Sequence, residues 1–224
     1  MAPVVLASRS PRRRELVRAL DLNVRFMDPP GDETARVPGE TARCFVVRQS
    51  VRKAIEAADG FTDDTVVIGA DTTVSLDERL MGKPANEDGA SEMLRALRGR
   101  EHTVFTGVTV VEATSVRKMS GSKATTVHMR AYSDEEIAAY VASGEPMDKA
   151  GAYAVQDRSF QPAAEVVGCY LNVVGLPLCE VVRLLSDVGV QTRLRSSWKM
   201  PPECRDCPLL DNTALLTSSK SEDS

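Results

Sequence analysis

Apolar residues recur along this chain with two different periods, and the alternation between them lays out an α/β order. Short β-branched runs at 3–7 and 65–70 have strand length, and the second is unbroken at Val66-Val67-Ile68-Gly69-Ala70, as expected where both faces are covered. That run stops at Asp71-Thr72-Thr73, a carboxylate at the end of a buried strand. Residues 73–76 and 80–82 read as a return around Asp77-Glu78-Arg79, closing on Gly82-Lys83-Pro84. Positions 103–111 and 124–131 read as paired strands with a Gly/Ser/Lys-rich turn region at 114–123 between them, and 171–178 as a further buried strand with a sharp stop.

Helical spacing fills the intervals. Leu16, Val17 and Leu20 form the inward stripe of a helix at 11–20, and Ala90, Met93, Leu94 and Leu97 that of a helix at 86–98. A helix at 41–58 places Cys44, Val47, Val51, Ala54 or Ile55 and Ala58 on one side, which leaves Lys53 off the stripe and facing solvent or a cleft. Helices at 133–143 and 178–187 follow, and 148–156 reads as a loop entering a strand. From 196 the chain is polar and Pro/Ser-rich without a period, so a domain over 1–195 and a flexible tail over 196–224 are expected.

The helix ends are informative because one breaks the pattern of the others. The helix at 86–98 opens on Asn86-Glu87-Asp88 and closes with Arg95 and Arg98 before Gly99, and that at 133–143 opens on the capping box Ser133-Asp134-Glu135-Glu136. At Ser10-Pro11 the cap and first helical residue are equally regular, yet Arg12, Arg13 and Arg14 crowd the positive end of the peptide dipole, where an exposed cation costs about 0.3–1 kcal/mol. Such a cluster reads as a mouth for phosphate built from N–H groups, hydroxyls and guanidinium forks, or as a solvated basic face.

Composition narrows the partners. The chain has 224 residues, 42% hydrophobic and 27% charged, with net charge −4, which fits one soluble globular domain. An acidic molecule with one local arginine cluster suits a small multiply charged anion and argues against duplex nucleic acid. No run reaches the roughly 18 apolar residues of a membrane span, and 3–7 is too short for a signal peptide, so a cytoplasmic protein is expected. Cysteines 44, 169, 179, 204 and 207 lack a framework spacing and read as free thiols, and Cys204-Arg205-Asp206-Cys207 is a lone CxxC without a second pair for zinc.

Among candidate chemical groups, Asp71 reads as a general base or metal ligand, or as a carboxylate capping the next turn. Asp32-Glu33 reads as a solvated pair or as carboxylates sharing a hard cation. Pro84 holds Lys83 extended. Gln156 suits the edge of a planar base or a backbone partner. His102 and His128 have no metal-ligand spacing.

Taken together, Leu6-Ala7-Ser8-Arg9-Ser10-Pro11-Arg12-Arg13-Arg14-Glu15-Leu16, Asp32-Glu33, Lys53-Ala54, Gly69-Ala70-Asp71-Thr72, Gly82-Lys83-Pro84, Thr106-Gly107, Asp148-Lys149-Ala150-Gly151 with Tyr153 and Gln156, and Val173-Val174-Gly175-Leu176-Pro177 resemble the Maf family of nucleotide pyrophosphatases. The resemblance covers nearly all of 4–187 and departs at Asp157-Arg158-Ser159, where the family usually has glycine after the glutamine. It implies an α/β fold with an elongated, curved mixed sheet, flanking helices and two lobes around a cleft, in a cytoplasmic enzyme that is often a homodimer. It implies cleavage of the α–β phosphoanhydride of a nucleoside triphosphate with a divalent cation, Mg²⁺ or Mn²⁺. Asp71 would be the base, and Glu33 and Asp71 the metal ligands. Ser8, Arg12, Arg13, Lys53 and Lys83 would neutralise the phosphates, and Thr72 and Gln156 would select the base. Asp148-Lys149-Ala150-Gly151 resembles the branch acting on dTTP and UTP. The branch taking 7-methyl-GTP, and a non-catalytic nucleotide-binding regulator of cell division, are the alternatives.

Overall fold

In the computed structural model, which describes residues 2–31, 34–115, 117–204 and 207, the strands join in a mixed sheet. In chain order the elements are β1 (Val4–Ala7), α1 (Pro11–Val17), β2 (Val24–Met27), α2 (Ala42–Ala58), β3 (Val66–Leu76), β4 (Arg79–Met81), α3 (Glu87–Leu97), β5 (Glu101–Glu112), β6 (Lys118–Met129), α4 (Asp134–Ala142), β7 (Ala163–Val167), α5 (Tyr170–Val174) and α6 (Leu178–Asp187). The sheet order is β2-β1-β3-β5-β6-β7, with β4 paired to β3. β1 runs parallel to β2 and β3, and the remaining pairs are antiparallel. The mixed α/β sheet follows the expectation from the resemblance.

The apolar runs of β1 and β3 serve two cores, one on each face. Val4, Leu6 and Ile68 join Leu16, Val17 and the α6 residues Leu184 and Leu185 on one side, whereas Val5, Ala7 and Val67 meet Ala54 and Ala57 of α2 on the other. Further along β3, Val74 and Leu76 enter a third core with Leu94, Val104, Ile137 and Tyr153. The strand therefore passes from one core to the next across 71–73.

Several sequence expectations need correction. β3 does not end at Asp71. It continues to Leu76 because β5 supplies partners along its length, Asp71 opposite Gly107 and Thr72 opposite Thr106. The 118–123 stretch is strand rather than turn, since β6 pairs with β5 from Lys118 onward. The 148–156 stretch holds two short 3₁₀ turns (Glu145–Asp148 and Ala150–Ala152) and no strand, and Gln156 lies in a turn beyond them. The 171–178 run is helix α5 and a turn, because Gly175, at φ 124°, ends the helix and the Asn172 amide bonds the Val104 carbonyl and Thr125 hydroxyl instead of a strand partner. α1 ends at Val17, short of 20, and β2 and β7 had no clear apolar signal. The expectation of a flexible tail over 196–224 falls largely on residues outside those described; of the described ones, Trp198, Met200 and Cys207 pack against the first core and Cys204 is buried. No helix among the described residues is long and apolar enough to cross a membrane.

α2 corrects the reading of Lys53. Its buried face is Val46, Ser50, Lys53, Ala54 and Ala57, while Cys44 is exposed. Small and polar residues form that face because α2 lies unusually close to the sheet. A Cβ built at Gly69 would stand 2.7 Å from Ala54 N, and one at Gly107 2.7 Å from Val47 N. A stripe of small residues is weak on a hydrophobicity scale, so the larger side chains around it set the sequence expectation.

Candidate active site

Strand alternation fixes what surrounds Asp71. Residues two apart on a strand share a face, and Gly107 pairs directly with Asp71, so Gly69, Asp71 and Gly107 all look toward α2. Lys53 comes down on that face. It is 7% exposed, Asp71 is 4% exposed, and Lys53 Nζ stands 2.6 Å from Asp71 Oδ1. The parallel register sets Ala7 beside Gly69, which brings Ser8 and the start of α1 alongside Ala70-Asp71.

These elements enclose a cavity of about 480 Å³. Its lining includes Ser8, Arg12, Arg13, Lys53, Asp71, Thr72, Lys83 and Gln156. Every candidate that the structure describes is thus in one hollow; Glu33 lies outside the described residues. The sequence expectation missed Arg9, Asp148, Lys149 and Tyr153, which also line it. Asp148 and Lys149 stood in a recognisable motif, but a loop without hydrophobic period gives no sign of which way its side chains turn. Among described lining residues, six cations (Arg9, Arg12, Arg13, Lys53, Lys83 and Lys149) face two carboxylates, Asp71 and Asp148. A cavity of that sign favours a polyanion.

The three arginines divide their work. Arg14 turns to the Ser8 carbonyl at 2.8 Å and Asp28 at 2.5 Å, and it is absent from the cavity lining. Arg13 Nε donates to the Gly175 carbonyl at 2.8 Å and Nη2 to the Thr72 hydroxyl at 2.9 Å. Thr72 Oγ1 in turn lies 2.9 Å from Thr106 Oγ1, which donates to the Asn172 carbonyl. Arg12 Nη1 reaches Asp148 Oδ2 at 3.1 Å. Burial pushes the Asp148 carboxyl up, but the Lys149 hydrogen bond and the Arg12 charge outweigh it and hold the group below the usual carboxylate range.

A divalent cation fits this donor set in one way. Among the described residues, no three His, Cys, Asp or Glu side chains form a metal-holding group. Mg²⁺ is commonly held by one or two carboxylates together with substrate phosphates, so a cation arriving with its nucleotide suits Asp71 where an all-protein cage does not.

Comparison with known proteins agrees with this geometry. A sequence profile described as Maf-like protein matches residues 3–188. The dTTP/UTP pyrophosphatase of Pelotomaculum thermopropionicum is 44% identical over 189 residues, covering 84% of this chain and 98% of that one. That of Dictyoglomus thermophilum is 38% identical over 186 residues, covering 83% and 96%. A Mycobacterium abscessus structure titled nucleoside-triphosphatase / dITP/XTP pyrophosphatase covers 58% of this chain and 75% of its own at 15% identity and a TM-score of 0.39, a likeness too partial to add to the assignment. With a profile match across the sheet and cavity, and relatives this similar over most of their length, the chain belongs to the Maf family.

Proposed function

We propose that this chain is a nucleoside triphosphate pyrophosphatase acting on dTTP and UTP, releasing the monophosphate and pyrophosphate. The observation that carries the reading is the gathering of five further cations around the buried Lys53–Asp71 pair in a single cavity. The relatives' names give the choice of nucleotide. A nucleoside triphosphate brings about four negative charges, so its hydrolysis is governed by neutralising charge and by placing a water in line with the leaving group.

In this reading Arg12, Arg13 and Lys83 bind phosphate oxygens, and Ser8 adds a hydroxyl donor. Asp71, oriented by Lys53, accepts a proton from a water whose oxygen attacks the α-phosphorus. The bond from that phosphorus to the bridging oxygen breaks, and pyrophosphate leaves with the bonding electrons. A bound Mg²⁺ or Mn²⁺, held by Asp71 with Glu33, would supply Lewis-acid neutralisation of the phosphates. Thr72, already engaged by Arg13, and Gln156 in the cavity lining select the base.

The test is a panel of nucleoside triphosphates incubated with the full chain and Mg²⁺ or Mn²⁺, products separated by anion exchange. Monophosphate and pyrophosphate in equal amounts, greatest with dTTP and UTP and abolished by chelator, support the reading. Release of diphosphate and orthophosphate, or no hydrolysis, overturns it.

A further inference from the structure

The ion pair between Arg12 and Asp148 joins residues 136 positions apart and spans two cores: Leu16 and Val17 of α1 pack in the first, whereas Met147, Ala150 and Ala152 pack in the third. Both partners line the cavity, so the pair forms part of its wall. Arg12 turns two nitrogens to one residue, Nη1 to the Asp148 carboxylate at 3.1 Å and Nη2 to its backbone carbonyl at 3.4 Å.

Asp148 is itself anchored. Lys149 Nζ donates to Asp148 Oδ1 at 2.7 Å, to Glu145 Oε2 at 3.1 Å and to the Glu145 carbonyl. These three acceptors use the three N–H groups of an ammonium, and the Lys149 side chain is only 8% exposed, so it is committed to this post. The next turn is pinned as well. Gly151, at φ 70°, donates to the Gly82 carbonyl at 3.0 Å, and a Cβ there would meet Val74 Cγ2 at 2.9 Å. Glu145, Lys149 and Asp148 thus form a fixed chain ending on a flexible guanidinium with five N–H donors, some of which stay available to a phosphate.

We propose that Asp148 is a positioning residue: braced by Lys149, it aims Arg12 across the cleft at the polyphosphate of an incoming nucleotide. The inference rests on the cavity taking nucleoside triphosphates. A carboxylate beside a polyanion is repulsive on its own, so its benefit exists only through Arg12. The sign of its effect must therefore depend on whether Arg12 is present.

Asp148→Asn, Arg12→Ala and the double variant of the full chain test this, with circular dichroism confirming the fold and Asp148→Ser as a second substitution. With UTP, Asp148→Asn should raise KM by about 5- to 30-fold, the scale of one charge-assisted contact, with kcat within about threefold. Asp148→Glu should recover part of the loss. In the Arg12→Ala background the same change should leave KM unaltered or lower it. The Kd for inorganic tripolyphosphate, measured by calorimetry, should show the same reversal. Equal losses in both backgrounds would make Asp148 merely structural, and a lower KM in the single variant would make it a competitor for Arg12; either overturns the proposal, as does failure of the wild-type chain to bind tripolyphosphate. A wild-type chain that binds tripolyphosphate with the reversal yet hydrolyses no nucleotide overturns the pyrophosphatase reading and leaves the aiming of Arg12 standing.

Discussion

Lys53 and Asp71 show how much a single buried pair carries. An aspartate this enclosed needs a partner, because removing charge from water is costly unless another charge answers it, and the 2.6 Å contact with Lys53 supplies one. Asp71→Asn keeps the shape of the side chain and one acceptor oxygen for Lys53, but it trades the second oxygen for an N–H donor and removes the charge and the basicity. We expect turnover of UTP to fall about 10²-fold or more, the scale of a general base, with nucleotide still bound, as single-turnover and equilibrium-binding measurements would show. An unchanged rate removes Asp71 from proton transfer. His102 supports another residue of the cavity wall. Its Nε2 lies 2.7 Å from the hydroxyl of the cavity residue Tyr153, and burial, with a smaller push from the charge of His128, lowers its pKa to about 4 from an ordinary 6.5. A group whose folded pKa is depressed gives up stability on acidification, here from pH 6.5 downward through 4, because the unfolded chain takes the proton first. The loss between pH 7 and 4 should be about 3 kcal/mol from this residue. Urea unfolding of His102→Gln against wild type across that window should show a shallower slope in the variant.

Helix α2 is where an element's position becomes chemistry. It delivers Lys53 to Asp71 only because two strands present glycine beneath it, and the atoms a Cβ would meet at Gly107 belong to the Val46 and Val47 backbone, which has no rotamer to yield. Gly107→Ala should lift the helix, costing about 1–3 kcal/mol in urea unfolding and reducing pyrophosphate release, since Lys53 withdraws with it. An alanine variant of wild-type stability and rate would show that the close approach is dispensable. The same contact explains what the sequence disclosed and what it withheld. Regular caps at Asn86 and Ser133 and the continuous apolar run before Asp71 announced α3, α4 and the buried part of β3, because each is specified by neighbours in the chain. The buried face of α2 is specified by glycines in other elements, so the apolar spacing leaves Lys53 facing solvent or a cleft, and Gly69 and Gly107 decide for the cleft. α5 was misread for a related reason. Leu171-Asn172-Val173-Val174 has strand composition, but Asn172 is committed across the sheet to Val104 and Thr125, and Gly175 turns the chain so that its carbonyl meets Arg13.

At the scale of the molecule, the cavity falls where β3 leaves one core and enters another, so each wall is built on packing that does not depend on the hollow itself. The two walls belong to different cores joined by the continuous strands β3 and β5, and Arg12–Asp148 adds a side-chain contact between them. Among the described residues, the C-terminal segment packs against one core. Leu194 bridges to Leu20, Arg195 donates to the Leu22 carbonyl at 2.8 Å, and Trp198, Met200 and Cys204 lie against the same core as α1 and α6. The described cavity-lining residues, in contrast, fall between Ala7 and Gly175. Removing 196–224 should therefore separate stability from catalysis. We expect the shortened chain to lose about 2–4 kcal/mol in urea unfolding, the value of one to two well-buried apolar side chains, while its KM for UTP at 25 °C stays within about twofold of the full chain. Saturating nucleotide should then recover about 2.7 kcal/mol at a hundredfold excess over Kd in both chains, because binding between the walls stabilises the folded form regardless of what covers the far core. A shortened chain equal in stability to the full one would mean that the packing of Trp198 and Cys204 contributes nothing. A large rise in KM would mean instead that the first core transmits its loosening to Arg12 and Arg13.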